Sequence, residues 1–168
     1  MEFSALIRQR FSVLDYDRRP IPRELVRKIL DAGLAAPTAC NFQPQRILVI
    51  DDDASRARLN RVVPSRSYVP LAFLVCYDRR ECWVRPTDGK SSGEIDAAIV
   101  TTHMMLQATA LELGSIWVMS WNPDQMKQEF SLSEHLEPVA LLVVGYKTPG
   151  ATPHKGHFAS KTIEEVLT

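Results

Sequence analysis

The sequence predicts an α+β or α/β sandwich organised round one long buried helix. Three observations point there. Four short apolar runs, at 47–50, 71–77, 116–121 and 139–146, have the length and composition of strands. Helical segments with one apolar face, or none, separate them. Residues 94–113 carry apolar side chains on nearly every face, which a helix does when it is buried on all sides or lies at an oligomer interface.

Taken in order, residues 2–10 read as a short helix, and the prolines of Asp17-Arg18-Arg19-Pro20-Ile21-Pro22 make a rigid loop. Pro22 suits the first turn of a helix over about 22–36, with Leu25, Val26, Ile29, Leu30 and Gly33 at helical spacing, ending before Pro37. The strand Ile47–Ile50 stops at Asp51-Asp52-Asp53, and a polar helix of about 54–62 follows. Leu71–Tyr77 is a second, buried strand, and 78–93 is loop. On the long helix, Ile95, Ala98, Ile99, Thr102, Leu106 and Leu113 lie near one face, while Ala97, Val100, Met104, Met105, Ala108 and Leu111 cover much of the rest, with Gly114 closing it. A third strand runs from Ile116 to Trp121. Asn122-Pro123-Asp124-Gln125 then caps a helix, with Asn at the N-cap and Pro at the first helical position. Val139–Tyr146 is the fourth strand, 147–160 an irregular tail, and 162–167 a short closing helix.

The 168 residues suit a single domain over 1–168, and 45% of them are hydrophobic, enough to fill a core. The 20 basic and 20 acidic residues cancel, and no element carries the basic excess of a nucleic-acid binder. Cys40, Cys76 and Cys82 are odd in number and lack CxxC spacing, so they read as reduced thiols rather than a disulfide framework or a zinc site. No stretch is long enough for a signal peptide or a membrane span, which points to the cytoplasm. The buried helix has too much apolar surface for a monomer, so a homodimer is expected.

The common catalytic and nucleotide motifs are absent: no GxGxxG, no GxxxxGK[ST], no GxSxG and no HExxH. His154 and His157 form a tail pair without a third ligand nearby, and His103 reads as a hydrogen-bonded core histidine. What remains is distributed. Arg10-Phe11-Ser12 joins the first helix to a loop, and Arg with Ser offers charged and short neutral donors suited to phosphate; alone, it is also what a surface turn looks like. In Ala36-Pro37-Thr38-Ala39-Cys40-Asn41-Phe42-Gln43-Pro44 a helix stops at small residues, then two amides stand two apart between prolines. Asn41 and Gln43 each present donor and acceptor atoms that match the edge of a planar heterocycle, or equally cap the loop's own backbone.

Together the two segments resemble the nitroreductase family, which carries an RRS-like turn near the N-terminus and an APSxxNxQP-like loop some twenty-five residues later. The resemblance continues through Gly93-Glu94-Ile95-Asp96-Ala97-Ala98, Leu113–Val118 and Val139–Tyr146. It implies a nitroreductase-like fold, a mixed sheet of about four to five strands round the central helix, in a homodimer with FMN at the symmetric interface. Arg10, Phe11 and Ser12 would sit at the FMN phosphate. Pro37, Thr38, Ala39, Asn41 and Gln43 would line the flavin, part of that loop reaching across from the partner subunit. Trp117, Val118, Met119 and Ser120 would pass the flavin N5 edge, and Ser160 and Lys161 would lie near the phosphate. Two departures stand out: Leu14 where relatives commonly have a second basic residue, leaving Lys161 or Arg8 to help, and Gln45 where they often have Trp. The implied activity is an NADH- or NADPH-dependent oxidoreductase reducing flat, electron-poor acceptors such as nitroaromatics and quinones by ping-pong hydride transfer, with no protein nucleophile. Two alternatives stay open: other flavin chemistry on the same scaffold, and flavin binding without turnover.

Overall fold

The computed structural model describes residues 2–64 and 67–168. The elements run α1 (Phe3–Gln9), α2 (Arg23–Leu34), β1 (Gln45–Ile50), α3 (Asp53–Val62), β2 (Leu71–Asp78), α4 (Gly93–Ala110), β3 (Gly114–Val118), α5 (Pro123–Phe130) and β4 (Leu136–Gly145), with short 3₁₀ turns at Ala39–Asn41 and Lys155–Phe158. The strands form one four-stranded sheet in the order β1-β2-β4-β3. Its three ladders are all antiparallel, where a mixed sheet was expected; the parallel element among the described residues is an isolated bridge between Ser12 and Ser115.

Successive strand residues face opposite sides, and this sorts the core into two layers. Leu71, Phe73 and Val75 of β2 pack with Leu142 and Val144 of β4 against α2 and α4. Ala72, Leu74 and Cys76 pack with Leu141 and Val143 against Leu59 of α3 and Met126 of α5. β2 is thus buried on both faces, and emptying its centre by Phe73→Ala would cost about 3–5 kcal/mol. α2 crosses α4 at Gly33, where a Cβ would stand 3.0 Å from Met104 Cγ.

Several boundaries differ from the sequence reading for identifiable reasons. β4 begins at Leu136, three residues early, and accommodates Pro138 because the register slips between Val75 and Cys76; a bulge is where a strand tolerates a residue without an N–H. α4 ends at Ala110, and the left-handed residue that turns the chain is Glu112 (φ 62°), not Gly114. Gly114 opens β3 instead, and a Cβ there would meet Val13 Cγ2 at 2.7 Å. β3 stops at Val118 rather than Trp121, whose N–H turns back to Met119 O (3.0 Å) and whose indole donates to Val118 O (2.8 Å). Residues 162–167 make a turn, not a helix, with Val166 and Leu167 N–H groups both donating to Ile163 O. Asn122 caps α5 as expected, accepting from Asp124 and Gln125 N–H groups.

α4 is less enclosed than its composition suggests. Ala97, Val100, Met104 and Ala108 are buried, but Ala98, Ile99, Thr102, Met105 and Leu106 are half-buried and Ile95 is 59% exposed. His103 is half-buried and its imidazole makes no hydrogen bond among the described residues, so it is not the satisfied core histidine expected. Among the described residues no helix is long and apolar enough to cross a membrane.

Candidate functional site

Arg10 is the C-cap of α1, where its N–H donates to Leu6 O and the chain turns extended. The next residues run beside the edge of the sheet: Ser12 bridges Ser115, and Val13 N–H donates to Ser115 O at 3.0 Å. Two buried groups fix this run. Val13 is 2% exposed, and the Tyr16 hydroxyl donates to Val13 O at 2.9 Å, with burial pushing the phenol well above its usual range so that it stays a donor. Phe11 then stands out from the edge with the His157 ring edge-on at 6.3 Å and Lys147 Nζ 5.7 Å from its centre.

An open cleft of about 500 Å³ lies here, lined by Phe11, Ser12 and Leu14 on one side and by the chain from Thr148 to Lys155 on the other. Most arginines on the rest of the surface are engaged, Arg46 with Glu81, Arg58 and Arg61 with Glu129, Arg80 with Asp78. Arg8, Arg10, Lys147 and Lys155 pair with no carboxylate among the described residues. Among the described residues the one acid lining the cleft, Asp15, accepts from Ser67 Oγ at 2.7 Å. Ser12 and Lys155 line the cleft and Lys147 stands over Phe11 beside it, donors of the kind that suit a phosphate.

The second segment, 37–44, is held under backbone strain. Cys40, Asn41 and Gln43 all have left-handed φ (51°, 55° and 51°), a conformation that disfavours a side chain by roughly 1–2 kcal/mol. Thr38 closes the loop on itself, its Oγ1 accepting from Gln43 N–H (3.0 Å) and its carbonyl from Asn41 N–H (2.9 Å). The head of the loop is tied to α4, where Asp96 Oδ1 accepts from Ala39 N–H at 2.9 Å. Asn41 and Gln43 are exposed, and their amides have no partner among the described residues. The loop spends strain on displaying these two side chains rather than on capping itself with them. Pro37 beside them is also exposed.

Trp117, Val118, Met119 and Ser120 follow the outer edge of the sheet. Ser115 turns its backbone toward residues 11–13, and polar groups of alternate residues on a strand point the same way, so Trp117 presents its N–H and C=O to the same open edge. Its indole contacts Met119 Sδ at 2.9 Å, and Met119 is 63% exposed. Val118 packs on the α3/α5 side of the sheet, and with Ser120 it lines an apolar hollow of about 330 Å³ beside Tyr16 and Leu141.

One chain does not bring all of these together. Residue 39 is anchored at the first turn of α4, while Ser12 lies where β3 starts just beyond the far end, a separation of about 20 Å at about 1.5 Å per residue. Ser160 and Lys161 are exposed and make no hydrogen bond or ion pair among the described residues. The tail approaches the first segment through His157 instead, and His154 accepts from Gly156 N–H, capping its own turn. Sequence reading missed Asp96, Lys147 and Lys155; the available signal for Asp96 was a lone acid inside an otherwise apolar helical face. Cys76 is buried beneath the sheet with its thiol pushed up to about 12 by desolvation, so it is no nucleophile.

A sequence model of the Nitroreductase family matches residues 7–66 and 71–146. A putative NADH dehydrogenase/NAD(P)H nitroreductase of Methanothermobacter thermautotrophicus is 27% identical over 164 residues, covering 89% of this chain and 81% of its own. The crystal structure of a nitroreductase family protein from Clostridium difficile 630 superposes with a TM-score of 0.92 at 40% identity, covering 100% of this chain and 98% of that one. An FMN-dependent nitroreductase from Clostridium difficile R20291 shares the fold at 20% identity, with a TM-score of 0.74 over 91% of this chain and 92% of that one. The family's match spans the parallel Ser12–Ser115 edge, the strained amide loop and the central helix between them, and on that extent this chain belongs to the Nitroreductase family of oxidoreductases.

Proposed function

We propose that this protein is an FMN-dependent NAD(P)H oxidoreductase acting on flat, electron-poor acceptors such as nitroaromatics and quinones. The observation that carries the reading is the 38–43 loop, which keeps two unpaired, exposed amides in a left-handed backbone that glycine would adopt at less strain. Such amides offer paired donors and acceptors to the rim of an isoalloxazine. The donors at Arg10 and Ser12, with unpaired Lys147 and Lys155 nearby, fit the phosphate of the same molecule and offset the missing cation at Leu14. The open edge at Trp117 offers a backbone N–H to the ring system. FMN supplies the hydride chemistry, and the residues named here bind and orient it. In this reading no side chain serves as nucleophile or acid–base pair; donor and acceptor take turns at one flavin face, and the kinetics are ping-pong.

The site is complete in a homodimer. Amide loop and phosphate donors stand at opposite ends of α4 in one chain, and the half-open face with Ile95, Ile99, Met105 and Leu106 supplies an apolar surface for a second copy. A loop from the partner then meets the phosphate donors of this subunit. Three free thiols suit the cytoplasm. The purified protein is expected to be yellow, to release FMN rather than FAD on denaturation, and to sediment as a dimer. A colourless protein that free FMN does not turn yellow would rule the reading out.

A further inference from the structure

We propose that Asp96 is a positioning residue of the flavin site: its buried carboxylate holds Ala39 N–H and so fixes the loop that displays Asn41 and Gln43. The proposal rests on the FMN reading above. Asp96 is 2% exposed and lies in the first turn of α4, where the free N–H groups of the helix favour negative charge. Oδ1 accepts from Ala39 N–H at 2.9 Å, and Oδ2 accepts from the Ser92 hydroxyl at 2.7 Å. Among the described residues, the Ala39 bond is the one hydrogen bond that ties residues 37–43 to another part of the chain; the others, from Asn41, Phe42 and Gln43 N–H groups, all close on Thr38 or Ala39 within the loop.

Ser92 supports the same reading from a second direction. It occupies the N-cap of α4, where a serine normally turns its oxygen to the helix N–H groups. Here it makes no such cap and donates to Asp96 instead, giving up local capping to set the carboxylate's orientation. A loop with three left-handed side-chain-bearing residues persists when its surroundings over-determine it, and Asp96 supplies the external constraint. The carboxylate touches no ligand itself; it acts through the Ala39 backbone on residues four and fewer positions away.

The test uses the full chain in four variants, read by amide exchange at Ala39, by FMN titration and by thermal midpoint. Asp96→Ala should speed Ala39 exchange at least tenfold and raise the FMN dissociation constant about tenfold to hundredfold, the usual range for loss of a charged hydrogen bond. Asp96→Asn keeps an acceptor at the same place and should stay within about threefold of the parent on both readouts. Val100→Ala, a core truncation on the same helix, should lower the thermal midpoint while leaving FMN affinity within about twofold. Wild-type exchange at Ala39 in Asp96→Ala overturns the proposal, as does a loss of affinity that Val100→Ala reproduces at equal destabilisation. Should Asp96→Ala not fold, Ser92→Ala decides: it frees Oδ2 and should speed Ala39 exchange several-fold, and unchanged exchange overturns the proposal. A wild-type protein that binds no FMN would sink the functional reading, while the exchange measurements still decide whether Asp96 holds the loop.

Discussion

Residues 37–44 and residues 79–92 are both irregular, both border the N-terminal end of α4, and hold their backbones by opposite means. The longer segment satisfies itself. Arg80 grips Asp78 through two guanidinium nitrogens (3.0 and 2.8 Å), Arg79 N–H donates to His135 O, Arg85 and Lys90 close a turn at 2.8 Å, and Val84 bridges Ser91. Its one left-handed residue is a glycine, Gly89 at φ 72°. The shorter segment uses Cys, Asn and Gln for the same backbone geometry and leaves the two amides unpartnered. A segment that needs only to turn uses glycine and pairs its polar groups; one that keeps side chains under strain is presenting them to something else.

The largest test of that contrast is the double variant Asn41→Ala/Gln43→Ala. Removing two neutral hydrogen-bonding groups should weaken FMN binding by about tenfold to hundredfold, with the thermal midpoint of the apoprotein within about 2 °C of the parent. Flavin titration and calorimetry read the two numbers; lost stability with retained flavin would reverse the contrast. Next in size is Gly93→Ala, at the end of the self-satisfied segment. A Cβ there would stand 2.2 Å from Tyr77 Cδ2, and overpacking of this kind destabilises by about 1–3 kcal/mol, measured by denaturant unfolding. Smaller still is a contrasting pair: Gly89→Ala should cost about 1 kcal/mol, whereas Cys40→Gly should be neutral or stabilising by under about 1 kcal/mol, because relief of strain is partly offset by the extra entropy glycine gives the unfolded chain. Equal signs would mean that Cys40 is not strained.

The smallest effect concerns pH. Arg80, first by its hydrogen bond and then by its charge, holds the Asp78 carboxyl well below the usual carboxylate range, with His135 adding to the shift. A lowered folded value means that the stabilisation is complete above the unfolded pKa of about 3.9 and is lost as pH falls through the folded value. Unfolding curves of the parent and Asp78→Asn should therefore differ by a constant amount near neutrality and converge below about pH 4. A difference that grows on acidification contradicts the assignment.

The sequence made the frame visible because its signals are local. Helical spacing in α2, the N-cap at Asn122 and the apolar runs of β1 and β2 all lie within a few residues of the structure they encode. The misplaced boundaries needed information from elsewhere. Pro138 fits inside β4 because β4 itself bulges beside it, Val139 being the extra residue opposite Val75 and Cys76 of β2, and Gly114 belongs to a strand against which Val13, from far earlier in the chain, packs. The amides of the 37–44 loop were legible as residue types at a spacing, but their left-handed backbone was not, since cysteine and glutamine rarely take it. Asp96 was invisible as an anchor because its partner lies 57 residues away.

The strand order carries a consequence for how the chain is made. β4, the last strand to emerge from a ribosome, takes the interior place between β2 and β3. Until it arrives, β2 has β1 on one side and a bare row of N–H and C=O groups on the other, and β3 has no ladder at all. The nascent protein therefore carries an unpaired apolar edge through most of its synthesis, and closes in one late, long-range step once Leu136–Gly145 is free to insert. Translation stalled before residue 136 should leave an insoluble, protease-sensitive chain, whereas release of the strand should convert it to the protected form within a single kinetic phase.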